Sequence, residues 1–147
     1  DLFTGAYMIL TPNGRTGLAQ LETLKHFFLD AGFAGLTFST PEEHDRIIAY
    51  TSQLAHITSS AYVKSPEAML RRGFSAGSFR DMTRVARLDE DMWTELFLGN
   101  ADYLTSQLEL LIGSLNEYLS ALKAGDADKL RALLREGREK KAAAGGD

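Results

Sequence analysis

Apolar positions change their spacing several times along the chain, and each change marks an element. Tyr7-Met8-Ile9-Leu10 is a continuous apolar run stopped by Thr11-Pro12-Asn13-Gly14, the pattern of a buried strand that ends in a turn. Leu18, Leu21, Leu24 and Phe28 then recur at helical spacing, until Asp30-Ala31-Gly32 places a glycine where a left-handed cap is needed. Phe33 to Ser39 carries Phe33, Leu36 and Phe38 and reads as a second strand, so residues 1–40 form a strand-helix-strand unit. Two parallel strands cannot cover both faces of a sheet, and a complete α/β domain is expected to need further strands upstream.

From residue 41 the period is helical throughout. Thr40-Pro41-Glu42-Glu43 combines a capping threonine, a proline at the first helical position and a glutamate at the third. The helix it opens has no breaker before Lys64-Ser65-Pro66, about 23 residues on. One stripe of it carries Ile47, Tyr50, Leu54, Ile57 and Ala61; another carries small and hydroxyl residues around one imidazole, namely Ala49, Ser52, His56, Ser59 and Val63. Small side chains permit the close approach of a ligand or of another helix. His56 itself fits either a hydrogen-bonded interhelical histidine or a ligand-facing one. Pro66 opens a short helix to about Arg72, and Arg71-Arg72-Gly73 with Ala76-Gly77 makes a flexible, glycine-bearing approach to the next segment.

Chemistry concentrates between Ser75 and Asn100. Ser78 and Asp81 have the spacing of a helix cap and its reciprocal partner, which predicts a helix from about Ser78 with Phe79, Met82 and Ala86 on one side. Arg80 and Arg84, four apart, then project together, and Asp81 is placed to hold Arg84. Two guanidiniums side by side suit a carboxylate or phosphate; a solvated basic face with one salt bridge is the alternative. Asp89 caps a further helix bearing Trp93, Leu96 and Phe97, ended by Gly99, and the single tryptophan suits a core or an interface. Asn100 reads as the cap of the longest apolar pattern, in which Leu104, Leu108, Leu111, Leu115, Tyr118 and Leu122 step by three and four, widened by Ile112 and Leu119. Such a seam meets a partner helix across a two-fold axis or a helix of its own chain. Gly125 and Asp126 turn the chain into a last helix with Leu130, Leu133 and Leu134, expected to end near Glu136, with residues 140–147 fraying.

Composition removes several functions. The 147 residues, 44% apolar and 24% charged, suit one globular domain or slightly more. A net charge of −4 with scattered basic residues argues against nucleic acid as a partner. The absence of cysteine excludes disulfides, thiolate catalysis and cysteine-based zinc sites, and fits a reducing cytoplasm. No apolar run is long enough to span a bilayer and no signal-peptide pattern occurs, so no membrane partner is expected. The first residue is not methionine, and Asp1-Leu2-Phe3 reads as though cut from something longer.

Taken in order, several segments resemble the C-terminal portion of the prephenate dehydrogenase family, which includes arogenate dehydrogenases. Leu2-Phe3-x-Gly5 with Ile9-Leu10-Thr11-Pro12 resembles the end of the family's nucleotide-binding domain. Pro41-Glu42-Glu43-His44-Asp45 resembles the start of its linking helix, and Phe79-Arg80-Asp81-x-Thr83-Arg84 with Trp93 resembles its substrate-domain signature. Where the family often reads Ser-His-Leu-Pro-His, this chain has Ser52-Gln53-Leu54-Ala55-His56. The first imidazole and the proline are replaced, and the second imidazole is kept.

The resemblance implies a mostly α fold: a Rossmann-type remnant over 1–40 and an all-helical substrate-binding and dimerisation domain over 41–147. It implies an oxidoreductase in which a nicotinamide takes hydride from C4 of prephenate, the ring carboxylate leaves as CO2, and 4-hydroxyphenylpyruvate results. By the same resemblance Arg84 binds a substrate carboxylate, His56 hydrogen-bonds substrate or product, and Arg80 and Asp81 join an ionic network at the pocket entrance. Gly77 is counted with the substrate-binding residues, Trp93 reaches toward a neighbouring subunit's site, and the chain forms a homodimer. NAD or NADP is expected in the full-length parent and none on this chain alone, because the family's glycine-rich loop and catalytic histidine lie upstream of Leu2; no metal is implied. Ligands would be prephenate, 4-hydroxyphenylpyruvate or tyrosine. Preference for arogenate, or a helical dimerisation module without catalysis, stands as the alternative.

Overall fold

A computed structural model of the chain describes residues 2–74 and 77–145. Ser75 and Ala76, where the chemistry-bearing stretch and its glycine approach begin, lie outside the described residues, as do Asp1, Gly146 and Asp147. The chain divides into two compact units, residues 1–104 and 105–147.

The first unit opens with the expected strand-helix-strand: β1 (Tyr7–Leu10), α1 (Leu18–Asp30) and β2 (Gly35–Phe38), the strands parallel with Tyr7 opposite Gly35 and Leu10 opposite Phe38. Gly32 ends α1 at a φ of 98°, which a side chain would resist. Its amide and that of Phe33 reach back to Leu29 O and Phe28 O, so the last turn leaves fewer carbonyls open. Phe33 stacks on Phe3 with ring centroids 4.4 Å apart and meets the edge of Phe28 at 5.6 Å, which fastens α1 to the sheet. At Gly35 a β-carbon would lie 2.7 Å from the ring of Tyr7, so the Tyr7 ring covers the place a side chain would take.

The long helix is present in three parts, α2 (Pro41–Ile48), a π-helical segment (Ala49–Leu54) and α3 (Ala55–Tyr62). Thr40 Oγ1 accepts from the Glu43 amide at 3.1 Å, while Glu43 Oε2 accepts from Ser39 Oγ at 2.7 Å. The wider π-turns displace the α-helical register, and the apolar stripe is divided by it. Leu54 is buried and Ile57 half-buried, but Ile47, Tyr50 and Ala61 are exposed. The small-residue face turns inward instead: Ala49 and Ser59 are 0% and 2% exposed, and Gln53 6%. Small residues win this face because they let neighbouring backbones come close enough for side-chain hydrogen bonds.

The remaining helices of this unit are short: α4 (Glu67–Leu70), α5 (Gly77–Thr83) and α6 (Glu90–Gly99), the last capped by Asp89 Oδ1 on the Met92 amide at 2.9 Å. Helix α7 (Ala101–Ala124) carries the leucine seam, and its first turn, with buried Leu104, belongs to this unit.

The second unit is the rest of α7 and α8 (Ala127–Ala144). Between them Gly125, at φ 63°, donates to Leu122 O, and Asp126 donates to Ala121 O at 2.9 Å, the paired bonds of a Schellman turn. Asp126 Oδ1 then caps α8 on the Lys129 amide. The last helix does not end near Glu136 but continues to Ala144. Arginine, glutamate, lysine and alanine are good helix formers, and the Glu136–Lys140 contact at 2.7 Å ties successive turns together, so an apolar face is not required there.

Candidate functional site

The centre of the first unit's chemistry is His56, on α3 just beyond the π-segment. Its Nδ1 lies 2.8 Å from Ser52 O. A carbonyl only accepts, so Nδ1 carries a hydrogen, and a neutral ring then presents its lone pair on Nε2. The imidazole stacks on the indole of Trp93, centroids 4.1 Å apart and planes 30° apart, and Phe97 leans on the far part of the same cluster at 5.2 Å. The structure thus brings together two predicted site residues from separate helices of one chain.

Two buried polar side chains, each three residues from His56, hold the helices around it. Gln53 Nε2 donates to Leu96 O at 3.0 Å, and Asn100 Nδ2 donates to Gln53 Oε1 and to Asp45 O, both at 2.8 Å. Leu96 O is open because the Asn100 amide turns to Phe97 O at the end of α6. On the other side Ser59 Oγ donates to Met82 O at 2.8 Å, and the Ala86 amide, which would take that carbonyl in a continuing helix, bonds Thr83 O instead. The long helix therefore caps the carboxyl ends of both α5 and α6 with its own side chains. Neither Gln53 nor Asn100 stood out in this role in the sequence. Asn100 reads as the cap of α7, whereas both its amide hydrogens reach back to the long helix. A polar residue three positions from the histidine, on a face of small residues, was the available signal.

The arginine pair departs from expectation. Helix α5 already includes Gly77, so Ser78 lies in its first turn and not at its cap. The helix ends at Thr83, where Ser59 takes Met82 O, and Arg84 sits in the following turn. Asp81 pairs with Arg80, not Arg84, across 3.9 Å between two exposed side chains. An exposed pair of that length contributes about 0–1 kcal/mol. Arg84 is exposed and has no ion-pair partner among the described residues, so its guanidinium is open to an anion. Gly77 stands exposed at the start of α5. Arg71, part of the presumed flexible approach, lies 4.7 Å over the Phe79 ring and with Tyr62 borders a cavity of about 180 Å³.

A nicotinamide nucleotide requires a glycine-rich turn whose free amides face the pyrophosphate at a helix start. The turn before α1 uses its amides internally: Arg15 N donates to Asn13 Oδ1, Thr16 N to Asn13 O and Gly17 N to Gln20 Oε1, at 2.9–3.0 Å. That turn therefore offers none of these three amides to a pyrophosphate. The described residues hold no group of three His, Asp or Glu suited to a metal ion, and none of their helices is long and apolar enough to cross a membrane.

Comparison with known proteins gives the site a setting. The family model described as the dimerization domain of prephenate dehydrogenase matches residues 40–136. A cyclohexadienyl dehydrogenase of Zymomonas mobilis is 31% identical over 143 residues, 92% of this chain and 48% of that protein. A prephenate dehydrogenase of Bacillus subtilis is 31% identical over 134 residues, 88% of this chain and 36% of that protein. The chain thus spans less than half the length of these curated relatives. Among solved structures, prephenate dehydrogenase from A. aeolicus in complex with hydroxyphenyl propionate and NAD+ superposes with a TM-score of 0.79 at 29% identity, covering 98% of this chain and 52% of that one.

Proposed function

The chain belongs to the family of prephenate dehydrogenase dimerization domains, and on that premise we propose that it forms the substrate-binding and dimerising part of an enzyme that oxidatively decarboxylates prephenate to 4-hydroxyphenylpyruvate with NAD or NADP. The observation that carries this reading is the His56–Trp93 stack with its Nδ1 committed to Ser52 O. An indole face receives a six-membered ring, and an Nε2 lone pair accepts a hydrogen bond from a hydroxyl on it. Arg84, without an ion-pair partner among the described residues, supplies the charge a carboxylate needs. Hydroxyphenyl propionate, the compound named with the A. aeolicus relative, has that combination of aromatic ring, hydroxyl and carboxylate. Arg80 and Asp81 form the polar rim, Gly77 allows backbone approach beside it, and Trp93 borders the site of a second copy as well as packing on its own His56. Residues 1–40 belong to the nucleotide-binding domain and 41–147 to the helical one.

Prephenate is favoured over arogenate because Asp81, the acid that could meet an arogenate ammonium, faces Arg80. The cytoplasm is the compartment this reading expects.

Arg84→Ala tests it. A hydrogen bond to a charged group contributes about 1.5–3 kcal/mol, so the variant should lose about 10- to 100-fold in affinity for 4-hydroxyphenylpyruvate. Calorimetric titration of the chain measures this directly. In the whole enzyme the KM for prephenate should rise far more than that for the nucleotide. Equal effects on both, or unchanged affinity, would remove Arg84 from the site, and no affinity in the wild-type chain with a dimer intact would favour a pure dimerisation module.

A further inference from the structure

Gln53 occupies the position where the family pattern often has its first imidazole, yet its surroundings give it a definite task. The side chain is 6% exposed and uses both ends of its amide: the nitrogen on Leu96 O, the oxygen on Asn100 Nδ2. Leu96 and Trp93 are three apart on α6, and Gln53 and His56 are three apart on the long helix. The Gln53 bond to α6 therefore lies one turn along from the His56–Trp93 contact, on the same pair of helices. Ring stacking alone fixes separation but tolerates sliding and rotation, because the attraction between ring faces is broad. A directional hydrogen bond one turn away removes that freedom. It also falls within the π-helical segment, where the backbone has been re-registered to turn Gln53 inward.

We propose that Gln53, held by Asn100, is a positioning residue that sets the register of α6 on the long helix and so holds Trp93 face to face with His56. Ser59 provides the internal comparison. It is buried, lies equally far from His56 on the other side, and caps a different helix, α5, through Met82 O. A merely structural role would make the two residues alike; the positioning role makes only Gln53 govern the stack. The stack is a contact between two side chains of the chain itself, so this inference does not rest on the substrate proposed above.

Trp93 is the single tryptophan, and its emission reports the stack without interference. The full chain is compared with His56→Ala, which removes the stacked ring and defines the unstacked emission, and with Gln53→Met, Asn100→Ala and Ser59→Ala. Helix content is read on the same samples by circular dichroism. Gln53→Met and Asn100→Ala should each move the emission at least half-way to that of His56→Ala with helix content kept, and Ser59→Ala should leave it unmoved. If Gln53→Met does not fold, Asn100→Ala decides. Wild-type emission in the folded Gln53 and Asn100 variants would overturn the proposal, as would an equal change in Ser59→Ala.

Discussion

Ser59 and Gln53 show how much a single buried polar atom decides in this chain. Each satisfies a carbonyl that a helix end leaves open, and an unsatisfied buried acceptor costs about 1–3 kcal/mol. Met82 O lies where α5 ends and Arg84 follows in the turn, so Ser59 fastens that helix end to the long helix. Sequence spacing alone could not reveal this, since R-D-M-T-R has the same spacing whether or not its carbonyls are claimed from elsewhere. Gly35 is the opposite case, a residue whose role lies in having no side chain. Gly35→Ala would put a β-carbon 2.7 Å from the Tyr7 ring, and relieving that overlap should cost about 1–3 kcal/mol. Urea unfolding of the first unit measures it. An unchanged midpoint would mean that the exposed Tyr7 ring swings away freely.

At the scale of elements, the long helix and the last helix depart from simple periodicity for different reasons. In the long helix the π-segment re-registers the face, so that small and polar residues are enclosed while Ile47 and Tyr50 are left outside. The last helix persists past its apolar residues with the Glu136–Lys140 pair tying successive turns. The Glu136 carboxyl is held below the ordinary glutamate range by its hydrogen bond to Lys140 and the charge behind it, and Lys140 is raised by the same contact. A depressed carboxyl stabilises the folded state above its unfolded value and loses that contribution as pH falls through the folded one; a raised lysine loses it as pH rises through its folded value. Glu136→Gln should therefore lower helix content near neutral pH, and the difference from wild type should vanish in acid. Circular dichroism against pH checks this, and a difference that persists in acid would place the effect on propensity and not on the ion pair.

For the molecule as a whole, the decisive feature is how little apolar surface is enclosed: among the described residues only Ala49, Leu54, Leu104, Ala121 and Leu133 are buried apolar positions. In the second unit Ala121 of α7 and Leu133 of α8 are buried, and the leucine face of α7 is left open, with Leu115, Leu119 and Leu122 at 47–64% exposure. Monomeric proteins rarely leave contiguous faces of this kind uncovered. We propose that a second copy of the chain covers this one, in keeping with the family's dimerization domain. Light scattering should find a dimer for the wild type and a monomer of unchanged helix content for Leu119→Glu; a dimer in both would place the interface elsewhere. The amino-acid sequence by itself determined the elements and their order, because apolar period, helix caps and glycine turns are local properties of a few neighbouring residues. It also carried the family resemblance and named His56, Trp93 and the arginines. Only the tertiary structure decided which stripe of the long helix faces inward, which carboxylate meets which arginine, where α5 stops, and that Gln53, Ser59 and Asn100 hold the site's helices. Each of those outcomes depends on hydrogen bonds between residues 23 to 55 positions apart, or on a competition between neighbours that a one-dimensional pattern does not contain.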